Sequence, residues 1–521
     1  MEMKKVRKAR NKLGRGLLSR SFFFAVLLLL QITLVVGIAV GLGRFFPYFY
    51  LFLMLLSALA VLTLLDKDKV NPVYKIMWLI MILVMPPTGT LFYLFWGHRN
   101  TGNRHAKRLE SITERGTRSL PQDPEPMRCL QVKDKNLARS ATYLSQCAGA
   151  PLYGDTQSEY YAWGQDFFPR FLEELKGAKH FIFMEYFIIK PGYMWDTTLE
   201  ILTQKAAEGV DVRLLFDAFG CMFTLPENYD EFLRRKGIKC YPFAPPRLSG
   251  RISDYTMLNH RDHRKITVID GNVGFTGGLN FSDEYINRKK RFGMWKDTGL
   301  MLKGSGVQSL TALFLEMWDF TTGSVSDPKD YAPTLRYTAR GFVQSYGDSP
   351  LDEENVAENA YFNVLQQATN YVYIATPYLV VDNEMITTLT LIAKSGVDVR
   401  IITPGIPDKW YVYWVTQSYY RVLLEAGVRI FEYTPGFIHA KMYVSDDKTA
   451  IVGSANMDYR SLYLHFENCC AFYGGQMVQD VRADLEECMS VSNEVFLEDT
   501  YKTPLPKRVA QLILRLFAPL L

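Results

Sequence analysis

A long internal duplication constrains this chain more than any other feature. The pentapeptide Gly209-Val210-Asp211-Val212-Arg213 recurs letter for letter as Gly396-Val397-Asp398-Val399-Arg400. Each copy follows a helix-like stretch, residues 198–208 and 385–395, and before that an apolar run rich in β-formers, residues 181–186 and 371–376. Strand, helix, glycine and buried strand describe an α/β unit. Used twice in one chain, such a unit predicts two similar lobes.

Each unit leads into the same short motif. The first copy reads His263-Arg264-Lys265, then Asp270, then Gly277-Gly278-Leu279-Asn280. The second reads His439-Ala440-Lys441, then Asp446, then Gly453-Ser454-Ala455-Asn456. Both obey H-x-K-x4-D, a pattern that roughly a few chains in a hundred of this length would match by chance. Two matches with the same downstream turn are therefore not accidental. His105-Ala106-Lys107 has Ile112 where the aspartate is required and is read as basic surface.

The runs 266–269 and 442–444 predict strands, on which residues two apart share a face. His263 would then stand beside Lys265, and His439 beside Lys441. An ammonium can hold the anionic oxygens of a phosphate diester while an imidazole attacks phosphorus or moves a proton. Two imidazoles at one phosphorus supply a nucleophile and an acid for the leaving alkoxide. The catalytic set is thus His263, Lys265, Asp270, His439, Lys441 and Asp446. Within it, Asp270 and Asp446, five residues beyond each lysine on the same strand, are read as structural rather than proton-transferring. Asn280, Asn456 and Ser454 are expected to bind the substrate phosphate.

These motifs resemble the phospholipase D superfamily and, within it, the bacterial cardiolipin synthases. The likeness also rests on 259–265 (N-x-R-x-H-R-K), Asp283-Glu284-Tyr285, Thr376-Pro377-Tyr378, Asp382, 436–441 and Asp458-Tyr459-Arg460-Ser461. Upstream, Asn71-Pro72, Lys75, Trp78, Pro86-Pro87, Gly89 and Tyr93 resemble the membrane segment that precedes the synthase domain. His465 stands where relatives often carry Asn, and Gly278 in the first motif faces Ser454 in the second. The resemblance implies two phospholipase D-like α/β lobes, each a mixed sheet flanked by helices, behind an N-terminal α-helical transmembrane region. It implies phosphatidyl transfer between two phosphatidylglycerol molecules, giving cardiolipin and glycerol through a phosphatidyl-histidine, with His263 as nucleophile and His439 as acid, then base. Asp297 and Glu467 are the implied acids orienting the histidines. No metal or other cofactor is implied. The alternative within the superfamily is a hydrolase, with water as acceptor.

The N-terminal region reads as membrane-embedded. Residues 22–42 and 46–65 are two uncharged runs, each long enough to span a bilayer, and 76–96 is a third, broken at Pro86-Pro87. Residues 1–20 carry eight basic groups against one acidic, a local charge of +7 that favours a cytoplasmic tail. Arg99, Arg104, Lys107 and Arg108 follow the third run. Two crossings and a re-entrant third segment keep both basic flanks inside, whereas three crossings separate them; the first arrangement is expected. The protein would then be multi-pass in a bacterial plasma membrane, its lobes facing the cytoplasm. With a net charge of +5 overall, residues 21–521 carry −2, which argues against a nucleic acid partner and for a basic tail on an anionic membrane.

The remaining boundaries follow composition. Residues 97–149 read as a polar linker or neck, 150–322 as the first lobe, 323–346 as a connection and 347–500 as the second lobe. Residues 501–521 carry a helical apolar stripe with basic residues beside it, equally suited to a membrane surface and to core packing. Seven cysteines without a C-x-x-C pair suggest neither a disulfide framework nor a zinc site, and all seven are read as small buried apolar residues. Oligomeric state leaves no trace in the sequence.

Overall fold

The computed structural model describes residues 29, 32–33, 36–37, 40–41, 43–66, 71–97, 104–121, 123–245, 257 and 259–520. The basic tail 1–20 and most of the expected span 22–42 lie outside these. The chain divides into two units, 1–98 and 99–521.

In the first unit, Phe46–Leu65 forms a helix of 20 residues, about 30 Å at 1.5 Å per residue and so enough to cross a bilayer. Asn71 accepts a hydrogen bond from the Val73 N–H and caps a second helix, Pro72–Val84. That helix stops at Met85 and a third, Pro86–Trp96, begins at once. Paired prolines lack the N–H groups that a continuing helix needs. The two short helices fold back on each other: Trp78 meets Phe92 and Tyr93 with ring centroids 5.5 Å apart, and a Cβ on Gly89 would stand 2.2 Å from the Met81 carbonyl oxygen. The carbonyl of Pro86, at the start of the third helix, accepts from the hydroxyl of Ser57 on the long helix (2.8 Å), and Thr90 donates to Ser57. The hydroxyls of these apolar helices thus find partners inside the unit, as a hydrocarbon environment demands.

The second unit holds both lobes. In the first, seven strands lie in the order Thr156–Tyr161, Gly299–Gly304, Val273–Gly277, Lys265–Ile269, Phe181–Tyr186, Asp211–Asp217 and Lys239–Phe243. The second repeats this order with Phe342–Asp348, His465–Tyr473, Thr449–Gly453, Met442–Ser445, Tyr371–Ala375, Asp398–Pro404 and Arg429–Tyr433, and adds Ser492–Val495. The strand holding the repeated pentapeptide pairs parallel with both neighbours, and the motif strand pairs antiparallel. Gly209 and Gly396 follow the repeated helices at φ +91° and +96°, which glycine adopts without a Cβ clash. One apolar core, including Phe183, Val268, Phe314, Met442, Val444 and Phe472, is drawn from both sheets.

Three expectations need correction. The stretch 97–149 is not a loose neck: helices Arg104–Ser119, Glu125–Lys133 and Lys135–Cys147 belong to the second unit. Ala106, Leu109 and Ile112 recur at three-residue spacing and are buried, while Arg115 pairs with Asp319 and Thr113 donates to Glu316. The connection 323–346 is shorter than expected, because Phe342–Asp348 is already an edge strand of the second sheet. Finally, Cys147 is exposed and Cys129 half-buried; only the other five cysteines are buried.

Candidate active site

Two short parallel pairings join the lobes at the motifs. Arg261–Asp262 of the first lobe runs beside His465–Phe466, and Gly436–Ile438 of the second beside Met294–Lys296. Each motif histidine follows one of these segments. His263 donates its backbone N–H to the Phe466 carbonyl (2.9 Å), and His439 donates to the Lys296 carbonyl (2.7 Å).

The consequence is an exchange of partners. His263, from the first lobe, sets Nδ1 2.9 Å from both carboxylate oxygens of Glu467 of the second. His439, from the second lobe, sets Nδ1 2.6 Å from Oδ2 of Asp297 of the first. Both acids are fully buried. With Nδ1 turned to a carboxylate, each ring leaves Nε2 for substrate. Lys441 Nζ lies 2.8 and 3.2 Å from the two ring nitrogens of His439. Lys265 is anchored by its own backbone: its N–H donates to Asn468 Oδ1, and its carbonyl accepts from Thr276.

Burial sets the electrostatics. It holds the His263 imidazole well below its ordinary range, helped by Lys265. Burial and Lys441 bring His439 down to about 4, against the pull of Asp297. Burial likewise lowers Lys265 to about 7 and Lys441 to about 8. The charge of Lys441 acts on His263 and that of Lys265 on His439, so the two motifs form one site. The acids differ. Burial drives Glu467 well above the usual carboxylate range, whereas at Asp297 the opposing charges of Lys441 and His439 outweigh burial and hold it below. Asp297 is the firmer anion, and His439 the imidazole better supported in its protonated form.

The Gly278 and Ser454 positions follow from this asymmetry. A Cβ on Gly278 would stand 2.0 Å from Asp297 Oδ1, so only glycine leaves room for the acid behind His439. Ser454 instead donates its hydroxyl to Glu467 Oε2 (2.5 Å) and accepts from the Asn468 N–H. Expected to bind phosphate, Ser454 is engaged with the acid behind His263.

Asn280 accepts from the Ile188 N–H and donates to the Tyr285 hydroxyl (2.9 Å), which holds the Tyr285 ring 5.7 Å from that of His439. Asn456 donates to Ser461 (2.9 Å). The Asn456 amide also donates to Asp458 Oδ2 (3.4 Å), whereas that of Asn280 retains a second proton for a ligand. Asp270 and Asp446 are not on the motif strands. They sit just past them at φ +51° and +52°, each accepting three backbone N–H groups: those of Lys179, His180 and Phe181, and those of Thr369, Asn370 and Tyr371. They lock the strand entries.

One site residue lacked an expected role. His465, buried beside Phe466, lies with its ring 5.5 Å from that of His263 and Nδ1 3.7 Å from Glu467. Its place two residues before Glu467 on a strand was the available signal. Among the described residues, His263, His465 and Glu467 are the one group whose donor atoms, all within 4.8 Å, converge as metal ligands can. Lys265 and Lys441 act on the same group, and two ammonium charges oppose a divalent cation there. A family model described as "Cardiolipin synthase, PLD-like domain" matches residues 171–318 and 361–489, and one described as "Phospholipase D-nuclease N-terminal" matches 53–98. An uncharacterized protein of Streptococcus mutans is 43% identical, over 88% of this chain and 98% of its own length. A cardiolipin synthase of Geobacillus kaustophilus is 35% identical, over 90% and 93%. Among solved structures, phosphatidylserine synthase of Haemophilus influenzae shares the fold at a TM-score of 0.58 and 14% identity, covering 74% of this chain and all of its own.

Proposed function

This chain belongs to the cardiolipin synthase family with phospholipase D-like domains, and we propose that it condenses two phosphatidylglycerol molecules to cardiolipin and glycerol. It is a membrane protein and a phosphatidyltransferase. The observation that carries the proposed chemistry is the exchange of acids between lobes, which gives the two histidines unequal partners.

In the first step Nε2 of His263 attacks phosphorus and the bond to the glycerol oxygen breaks. His439 gives its Nε2 proton to that oxygen, and glycerol leaves. In the second step His439 takes the proton from a hydroxyl of another phosphatidylglycerol. That oxygen attacks phosphorus, the phosphorus–nitrogen bond breaks, and cardiolipin is released. Lys265 and Lys441 hold the non-bridging oxygens, and the second amide proton of Asn280 adds a hydrogen bond. Imidazolium is better supported at His439 because Asp297 remains ionised, so His439 is the acid and His263 the nucleophile. Relatives named cardiolipin synthase support the synthase reading over the hydrolase.

The helix-break-helix hairpin supports a re-entrant third segment. At 13 residues, Pro72–Val84 is about 20 Å long, short of the roughly 30 Å hydrocarbon core. Both basic flanks then stay on the cytoplasmic side of a bacterial plasma membrane, with the lobes.

Purified protein in phosphatidylglycerol vesicles with a chelator present is expected to release cardiolipin and glycerol in equal amounts. Phosphatidic acid without cardiolipin would establish the hydrolase instead. In the same assay kcat/KM is expected to fall as pH rises, above about 4 as His439 loses the proton it gives to glycerol and again, more steeply, through about 7 to 8. Lys265 and Lys441 are charged below those values and lose the charge that holds phosphate above them. A flat profile to pH 9 would remove the lysines from phosphate binding. Gly278→Ala must push Asp297 off His439 and is expected to cost about 10–100-fold in kcat. Unchanged turnover would mean that Asp297 does not orient the ring.

A further inference from the structure

The C-terminal helix Leu505–Leu516 is built inside out. Its polar stripe, Lys507, Gln511 and Arg515 at four-residue spacing, faces the second lobe. Lys507 donates to Gln417 (2.9 Å), Gln511 is buried, and Arg515 lies 4.2 Å above the Tyr419 ring. Its apolar stripe, Leu505, Val509, Leu512 and Ile513, faces away from the lobe and is 47–72% exposed. An amphipathic helix of a water-surrounded protein turns the other way, since each buried large aliphatic side chain contributes about 1.5–3 kcal/mol. Four such residues left outward, continuous on one face, mark a surface that something apolar covers.

We propose that this face is seated in the surface of an anionic lipid bilayer. Arg508 is exposed next to that stripe, and the helix Leu505–Leu516 carries no acidic residue, which complements anionic headgroups. The helix packs on Trp410–Glu425, whose Trp410 is 60% exposed and meets Trp414 edge to face with ring centroids 4.9 Å apart, with Lys507 against the Trp414 ring. Exposed tryptophan beside basic residues suits the headgroup boundary, where the indole keeps its N–H in water and its ring in the acyl region. Docking would hold the second lobe at the interface where its lipid substrates lie. The inference rests on the membrane-spanning reading of Phe46–Leu65, and the test separates the two.

Full-length protein in phosphatidylglycerol-containing vesicles would carry a benzophenone amino acid at Ile513, at Leu55 in the span, or at the exposed polar Glu208 of the first lobe. The expected result is lipid adduct at Leu55 and Ile513, at least about tenfold above Glu208 for both. Adduct at Leu55 alone would overturn the docking, and a crosslinked dimer from Ile513 would assign the face to a second copy of the chain. Equal adduct at all three positions would also overturn it, as unspecific labelling. Adduct at none would remove the membrane reading itself.

Discussion

With His263 replaced by alanine, cardiolipin formation is expected to fall by about 10⁴-fold or more, because loss of a nucleophile that acts as part of a unit removes most of the catalysis. No other group can take its place. The Nε2 of His439 is needed for the leaving glycerol, and the Nδ1 of His465 points toward Glu467, with Arg460 against its Nε2. The fold should survive. Ser454 still donates to Glu467 when the imidazole is gone, so the buried acid keeps a partner. The checks are a melting curve within a few degrees of the parent and product analysis from radiolabelled phosphatidylglycerol. A denaturing quench of the parent should leave phosphatidyl label on the peptide containing His263, and His439→Ala should form it only from a substrate whose leaving group departs without a proton. Label on the peptide with His439 would exchange the two roles. Turnover of His263→Ala within tenfold of the parent would end the two-histidine mechanism.

Asp297→Asn is expected to lower kcat with phosphatidylglycerol by about 10²–10⁴-fold, the range in which an acid behind a catalytic histidine acts. The amide nearly preserves the shape but cannot stabilise the imidazolium of His439, and it can donate to Nδ1, which selects the wrong tautomer. A phosphatidyl ester of p-nitrophenol separates this from general damage, because its leaving group departs without a proton. The variant should release p-nitrophenol in the first turnover within about tenfold of the parent. Glu467→Gln, behind the nucleophile, should slow both substrates. Equal loss on both substrates in Asp297→Asn would remove His439 as the acid for the leaving group.

Much of this arrangement is legible along the chain. The apolar runs 266–269 and 442–444 report strands, and these do hold matching places in the two sheets. His263, His439 and Lys441, expected on those strands, lie in the short links just before them, because the preceding residues pair across the lobes instead. Pro86-Pro87 marks a helix break for a local reason, since proline lacks the N–H whose position would continue the helix. Asp270 and Asp446 show the limit of such reading: their spacing is invariant between the halves, yet their task is to accept N–H groups from segments 77 to 91 residues earlier. The helices of residues 104–147 escape such reading because three buried side chains, Ala106, Leu109 and Ile112, among basic residues look like solvated surface until the helix they meet is in place.

The sequence by itself therefore determined that this chain has two α/β lobes bearing paired phosphate-transfer motifs behind apolar N-terminal runs. Each of those features is written in periods of two to a few residues. Only the tertiary structure decided that the lobes exchange acids, Glu467 behind His263 and Asp297 behind His439, across 204 and 142 residues of chain. It alone decided that Gly278 is small to admit a carboxylate, that Ser454 serves Glu467, and that the last helix turns its apolar face outward. Periodicity records which face of an element is apolar, but the partner that covers that face is fixed by long-range packing, which leaves no mark on the spacing of neighbouring residues.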